Sequence, residues 1–176
     1  MKLVMMALLA ITFIGCSSSE GFKRNKAPSG TGEKISGKIN IQSYSDYRDA
    51  EVIMPNIRKE CSQVNTNIAK SAKLNGKTRN INIVPVKKVN IKAKGNNVRV
   101  EILNAVSTGN AFVGHNKHMI VKAYLYKNGK LVDDIRVKRT SGGGMFAGFK
   151  GSCAVLNRIS KKIGEDIAVW LKKYNK

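Results

Sequence analysis

The strongest constraint on the fold is the dipeptide Asn128-Gly129, which lies between two runs of alternating apolar and polar residues. Asn-Gly readily adopts the positive φ angles of a two-residue hairpin turn, so it predicts two antiparallel strands. The strand before the turn has one apolar face, formed by Met119, Val121, Ala123 and Leu125. The return strand is predicted over residues 131–138, with Ile135 and Val137 on one face.

Further strands are predicted before this hairpin. Residues 38–42 alternate as a short strand, and a turn at residues 95–97 precedes the alternating residues Val98, Val100 and Ile102. Apolar residues also recur over positions 81–91. Pro85 within that segment indicates an edge strand or a bulge, because proline has no N–H to donate to a neighbouring strand.

Two segments have helical periodicity. Pro55 suits the first turn of a helix, and Asn75-Gly76 is typical of a helix end. Between them one helical face is formed by Ile57, Cys61, Val64, Ile68 and Ala72. A final helix is predicted from Ser152, as its N-cap, to Lys173. The element order therefore predicts an α+β fold, a two-layer sandwich in which two helices cover one face of an antiparallel sheet.

The N-terminus combines Lys2 with an apolar run over residues 3–14, followed by Gly15-Cys16. The run is too short to span a membrane, which takes about 20 apolar residues. A small residue directly before a cysteine, after such a run, resembles the lipobox of bacterial lipoprotein signal peptides. The resemblance implies cleavage before Cys16 and attachment of lipid, including palmitate, to that cysteine. The alternative is an ordinary secretory signal with a cysteine there by chance.

The segment after Cys16 is rich in Ser, Gly and Lys and poor in apolar residues. Such a composition cannot bury a core and is typical of a flexible tether. We therefore divide the chain into a signal peptide over residues 1–15, a lipidated cysteine and tether over 16–37, and a single domain over 38–176.

Cys61 and Cys153 remain if Cys16 carries lipid. Both lie on predicted apolar helix faces near the helix starts, and an exported protein meets an oxidising compartment. We therefore predict a disulfide that joins the two helices. Two separate buried thiols are the alternative.

The formal charge of the chain is +21, and removal of the signal peptide with Lys2 leaves +20. Such an excess favours anionic partners. The basic residues considered as anion or partner contacts are Lys87, Lys88, Lys92, Lys94, Arg99, Lys150, Lys161 and Lys162. AT-rich coding, which raises the lysine content, is a competing explanation, although it does not account for so few carboxylates.

A glycine-rich loop over residues 141–151 precedes the last helix. Gly143 and Gly148 have the spacing of a phosphate-binding P-loop, but Phe149 stands where that motif requires lysine. The loop is therefore interpreted mainly as a tight turn into the helix, with anion binding by its amides as the second possibility. Met145, Phe146 and Phe149 form either an apolar contact site or a plug over the core.

No residue pattern points to catalysis. His115 and His118 lack the spacing of a helical metal pair and a third ligand. The few acids form no pair suited to proton transfer, and no serine or cysteine has a nucleophile signature. Tyrosines interleave with basic residues, as in nucleic-acid platforms, but an exported protein seldom meets nucleic acid. We therefore expect no metal, no cofactor and no enzyme activity.

Residues 142–171 resemble the C-terminal segment of uncharacterised proteobacterial lipoproteins, and residues 57–61 resemble their first helix. The resemblance implies an envelope lipoprotein and transfers no catalytic residue. By the rule of the lipoprotein family, Ser17 after the lipidated cysteine implies the outer membrane, with the protein facing the periplasm.

Two functions remain open at this point. The first is a binding or scaffold module for an anionic partner, namely phospholipid, lipopolysaccharide or peptidoglycan, or for an envelope protein. The second is an inhibitor or immunity protein that acts on a periplasmic enzyme.

Overall fold

A computed structural model describes residues 33–110, 114–142 and 151–175. The strands are β1 (Ile39–Gln42), β2 (Asp46–Tyr47), β3 (Ile83–Val86), β4 (Asn96–Asn110), β5 (Gly114–Lys127) and β6 (Lys130–Gly142). The helices are α1 (Pro55–Glu60), α2 (Gln63–Lys77) and α3 (Ser152–Lys172). The glycine-rich loop over 143–150, with Lys150, Met145, Phe146 and Phe149, lies outside the described residues, as do the signal peptide and Cys16.

The strands form one sheet in the order β3-β1-β4-β5-β6, and β2 pairs with β4 beside β1. Strands β4, β5 and β6 are antiparallel, as predicted, and Asn128 and Gly129 have the positive φ angles of the expected turn. Strands β1, β2 and β3 pair in parallel, so the sheet is mixed rather than wholly antiparallel. The reason is that α1 and α2 form the crossover from β1 to β3, and a crossover returns the chain in the same direction.

The two-layer α+β architecture is confirmed, because α2 and α3 pack side by side on one face of the sheet. The apolar residues at alternate positions of the strands point into this layer and are buried, among them Val98, Val121 and Ile135. Trp170 of α3 is also buried, and its Nε1 donates to Asp133 Oδ2 at 2.8 Å, while the Tyr174 hydroxyl donates to the same carboxylate. These bonds fasten the end of α3 to β6.

The first predicted helix is divided in two. Its apolar face is buried as expected, but the chain leaves helical geometry at Cys61, between α1 and α2. Helix α2 also continues past Asn75-Gly76 to Lys77. Gly76 has a packing role instead of ending the helix, because a Cβ there would lie 2.8 Å from the Ile83 side chain.

The two long helices are in close contact at Gly164 of α3. A Cβ at this position would lie 2.4 Å from the Ile68 carbonyl oxygen, so only glycine permits the observed approach. At the starts of α2 and α3, the disulfide Cys61–Cys153 joins the two helices, with 5.0 Å between the two Cα atoms. Ser152 is not the N-cap of α3: that position is Gly151, and no side chain caps it.

The packed chain begins before Lys38. Ile35 is 1% exposed, its N–H donates to the Tyr174 carbonyl at 2.8 Å, and it forms a bridge with Asn175. Residues 33–37, which were predicted as the last part of the tether, therefore belong to the fold. The prediction missed them because the alternating pattern begins only at residue 38, whereas the apolar side chain that packs here is Ile35.

The connection between β3 and β4, residues 87–95, crosses β1 on the face opposite the helices. Strands β3 and β4 lie on either side of β1 and run in the same direction, so their connection must pass over it. The Ala93 carbonyl accepts a bond from Asn97 Nδ2 at 3.3 Å, and Asn97 is on the face opposite buried Val98. The helices therefore cover one face of the sheet, and this connection covers a corner of the other.

Candidate functional site

The face of the sheet opposite the helices, called here the open face, carries a cluster of paired charges. Glu101 of β4 is 8% exposed and accepts bonds from two arginines, Arg48 at 2.9 Å and Arg99 at 2.8 Å. Tyr124 of β5 donates to the same carboxylate at 3.3 Å and accepts from Arg48. On the adjacent strands Lys122 pairs with Asp134 at 2.6 Å.

The electrostatics of this cluster are those of a satisfied network. The bond to Glu101 raises the pKa of Arg48, which stays fully charged. Burial raises the pKa of the Tyr124 hydroxyl, and the neighbouring Glu101 carboxylate adds to the rise, so Tyr124 is neutral. Lys122 lies 4.8 Å from the centre of the Tyr124 ring, a favourable cation–π distance. Such an arrangement orders the strands and leaves little charge available for a ligand.

Two more arginine–carboxylate pairs lie in the helical layer. Arg139 of β6 donates to Asp166 of α3 through two nitrogens, with Nε at 2.7 Å. Glu165 accepts from Lys162 at 2.9 Å and has Arg79 at 3.8 Å. The bond from Lys162 lowers the pKa of Glu165 below its usual value. Carboxylates in the described part of the chain are thus largely committed to specific partners inside the fold.

The basic residues proposed from the sequence do not form one patch. Lys87, Lys88, Lys92 and Lys94 lie on the 87–95 connection, and five residues of this segment, 88–92, line a depression of about 500 Å³. Arg99 is near them on β4 but is paired with Glu101. Lys161 and Lys162 are exposed on α3, on the other side of the molecule.

A different set of lysines gathers at one end of the molecule, where β1 and β4 begin, β5 turns into β6 and α3 ends. We call it the basic end. Its lysines are Lys34, Lys38, Lys92, Lys94, Lys127, Lys130, Lys172 and Lys173.

Four contacts bring these lysines together. Lys34 Nζ donates to the Lys173 carbonyl at 2.9 Å, and Lys127 Nζ donates to the Lys34 carbonyl at 3.1 Å. The Asn96 side chain binds the Lys38 carbonyl at 3.2 Å. Gly129, in the hairpin turn, lies against the backbone of Lys92, so that a Cβ built on Gly129 would be 3.3 Å from the Lys92 carbonyl oxygen. Within the described residues, the exposed carboxylate at this end is Glu33, which pairs with Lys127 at 2.7 Å.

Sequence reasoning missed both the basic end and the partners of Glu101. Lys34, Lys127 and Lys172 are far apart in the chain. The pairing of Ile35 with Asn175 brings the segments of Lys34 and Lys172 together, and the bonds of Lys127 to Glu33 and to the Lys34 carbonyl add the third. The sequence signals for the basic end were Lys92 and Lys94, considered above, and the turn at Asn128-Gly129, whose flanking residues Lys127 and Lys130 are both basic.

The other candidates add no chemical site. Nδ1 of His118, on β5, is 3.4 Å from the Asn116 side chain. Among the described residues, no group of three potential metal ligands occurs. In the same described part of the chain, no helix has the length and apolar character needed to cross a membrane.

Comparison with protein-family models and with curated sequences gives no match. Protein XCC0632 from Xanthomonas campestris, of family DUF330, is a solved structure with 9% identity and a TM-score of 0.50, over 86% of this chain and 92% of that one. The lipoprotein GNA1162 from Neisseria meningitidis has 9% identity and a TM-score of 0.46, over 76% and 99%. The PelC dodecamer from Paraburkholderia phytofirmans has 10% identity and a TM-score of 0.45, over 82% and 96%. At these identities the similarity concerns the fold alone.

Proposed function

We propose that this chain is a lipid-anchored lipoprotein of the bacterial envelope, held by Cys16 on the periplasmic side of the outer membrane. Its folded part is a non-catalytic binding or scaffold module for an anionic envelope component or an envelope machine. The observation that carries the proposal is the distribution of charge. The buried or half-buried carboxylates Glu101, Asp134 and Asp166 are each paired within the fold, whereas many exposed lysines are not balanced by acids.

Two further features support an envelope location. Gly15-Cys16 follows an apolar run, and the disulfide Cys61–Cys153 requires an oxidising compartment for its formation. A positively charged domain close to a surface gains affinity for anionic partners that are concentrated there, and exposed lysines are hydrated point charges suited to such diffuse attraction.

The anchor is tested by mass spectrometry of the mature protein from its own host. We expect a diacylglyceryl and acyl modification on Cys16, and Cys16→Ala should leave the protein unprocessed or release it from membranes. An unmodified Cys16 at an intact mature N-terminus would contradict the lipoprotein assignment.

The binding role is tested by crosslinking the anchored protein in cells, followed by extraction at low and high salt. We expect association with an anionic envelope component that is weakened strongly by salt, since exposed charges are screened within about 8 Å at physiological ionic strength. Stoichiometric, salt-insensitive capture of a single periplasmic enzyme, with loss of that enzyme's activity, would instead establish an inhibitor or immunity protein.

A further inference from the structure

The tether enters the folded part of the chain at the basic end. Glu33 and Lys34, the first described residues, contact Lys127 and the Lys173 carbonyl. Sixteen residues separate Cys16 from Glu33 in the sequence. Fully extended, such a segment spans about 55 Å at most, so a lipid on Cys16 keeps the basic end within reach of the membrane surface.

The lysines of the basic end differ in their surroundings: Lys34 and Lys127 make polar contacts within the fold, whereas five others lie at exposed positions. Lys38, Lys92, Lys94, Lys130 and Lys172 are exposed, and they lie on loops, turns and element ends. By contrast, the positive charges that order the sheet are mainly arginines with carboxylate partners, such as Arg48 and Arg99. Like charges gathered at one end repel each other, so an external anionic surface would stabilise this arrangement.

We infer that the basic end is the surface through which the domain docks on the anionic phospholipid headgroups of the membrane that holds its lipid. This inference rests on the proposed lipid anchor. It specifies which surface of the domain binds and which anionic partner that surface binds. A lipid and a group of lysines are two weak membrane signals, and together they bind far more stably than either alone.

Docking in this way fixes the orientation of the molecule. Helix α3 has 21 residues and runs from Ser152, next to the disulfide at Cys153, to Lys172, in the basic end. At 1.5 Å per residue, the disulfide stands about 30 Å from the basic end along the helix axis. The segment 43–61 and the disulfide would then face away from the membrane.

Lysine footprinting tests the orientation directly. The lipidated protein is inserted into vesicles of pure phosphatidylcholine or of phosphatidylcholine with phosphatidylglycerol. Exposed lysines are acetylated and quantified by mass spectrometry at low and high salt. We expect Lys34 and Lys38 to react several times more slowly on the anionic vesicles at low salt only, while Lys59 and Lys70, which lie elsewhere, react equally on both.

Two variants with the same net charge separate position from total charge. The first changes four lysines of the basic end to glutamine: Lys92, Lys94, Lys130 and Lys172. The control changes four exposed lysines elsewhere: Lys59, Lys70, Lys87, at the far end of β3, and Lys161. Each lysine near an anionic surface contributes a factor of about five to binding, so the first variant should lose docking by up to several hundred-fold and with it the protection of Lys34 and Lys38. The control should retain that protection.

The outcomes distinguish this inference from the proposed function. Protection of Lys59, Lys70 and Lys161 instead would overturn docking through the basic end while leaving anionic binding intact. Salt-sensitive binding to isolated sacculi, without protection on anionic vesicles, would overturn the phospholipid partner and support peptidoglycan. A protein that is not protected on vesicles and does not bind sacculi would overturn this inference together with the proposed binding of these anionic surfaces, and the partner would then be an envelope protein.

Discussion

The two ends of the molecule use charge differently. At the end that holds the disulfide, residues 43–61 contain four acids and three basic residues, so the charge of this segment is nearly balanced. Arg48 from this segment is held by Glu101, and Cys61 is covalently joined to α3. At the basic end, the described residues include eight lysines and one exposed carboxylate, Glu33, which pairs with Lys127. The first end is thus held by internal ion pairs and a covalent bond, whereas the second keeps a charge that the fold does not neutralise.

The largest expected effect is the loss of the disulfide. The bond closes a loop with a sequence separation of 92 residues. Changing Cys61 and Cys153 together to serine should lower the free energy of unfolding by about 4 to 5 kcal/mol on the chain-entropy model. Denaturant unfolding of the oxidised protein and the double variant measures this. Under conditions in which the double variant is still folded, Lys38 should remain protected on anionic vesicles. Loss of this protection would mean that docking of the basic end depends on the disulfide at the other end.

A smaller effect is expected from the charge network on the open face. Glu101→Gln leaves Arg48 and Arg99 without their shared carboxylate, and both arginines are about half exposed and can be rehydrated. We expect a loss of about 1 to 2 kcal/mol in the free energy of unfolding, less than for a fully buried pair. Glu60→Gln, at an exposed position at the end of α1, is the matched control and should cost less than about 0.5 kcal/mol. Equal effects of the two changes would show that the network does not stabilise the sheet.

The smallest effect concerns Glu165, whose pKa is lowered mainly by the bond from Lys162. A carboxylate with a folded pKa below its unfolded value adds stability above the unfolded pKa, and this stability is lost as pH falls through the folded pKa. Because the side chain is 36% exposed, we expect Glu165→Gln to cost about 0.5 kcal/mol or less at pH 7. In unfolding curves below the carboxyl pKa, the variant and the parent should converge; a constant difference would indicate a packing effect instead.

Several elements could be predicted because their signals are local. The turn at Asn128-Gly129 depends on the φ angles of two adjacent residues, and the buried faces of β5 and α3 follow from periodicity within one element. The disulfide could also be anticipated, since the periodicity put each cysteine on a predicted apolar helix face, although Cys61 lies between α1 and α2 in the structure. The break between α1 and α2 and the parallel pairing of β1 could not, because packing of the crossover against the sheet decides both.

The candidate site shows the same division. Sequence alone determined that the chain carries a large excess of basic residues and that Cys16 follows a lipobox-like run. The sequence indicated Lys92 and Lys94 as candidate contacts and grouped them with Arg99. In the structure, Arg99 is instead paired with Glu101. Which lysines lie together was decided only by tertiary structure. The bridge between Ile35 and Asn175 and the approach of the 87–95 connection to Gly129 bring distant segments to one end, and contacts of such long sequence separation leave no local pattern in the chain.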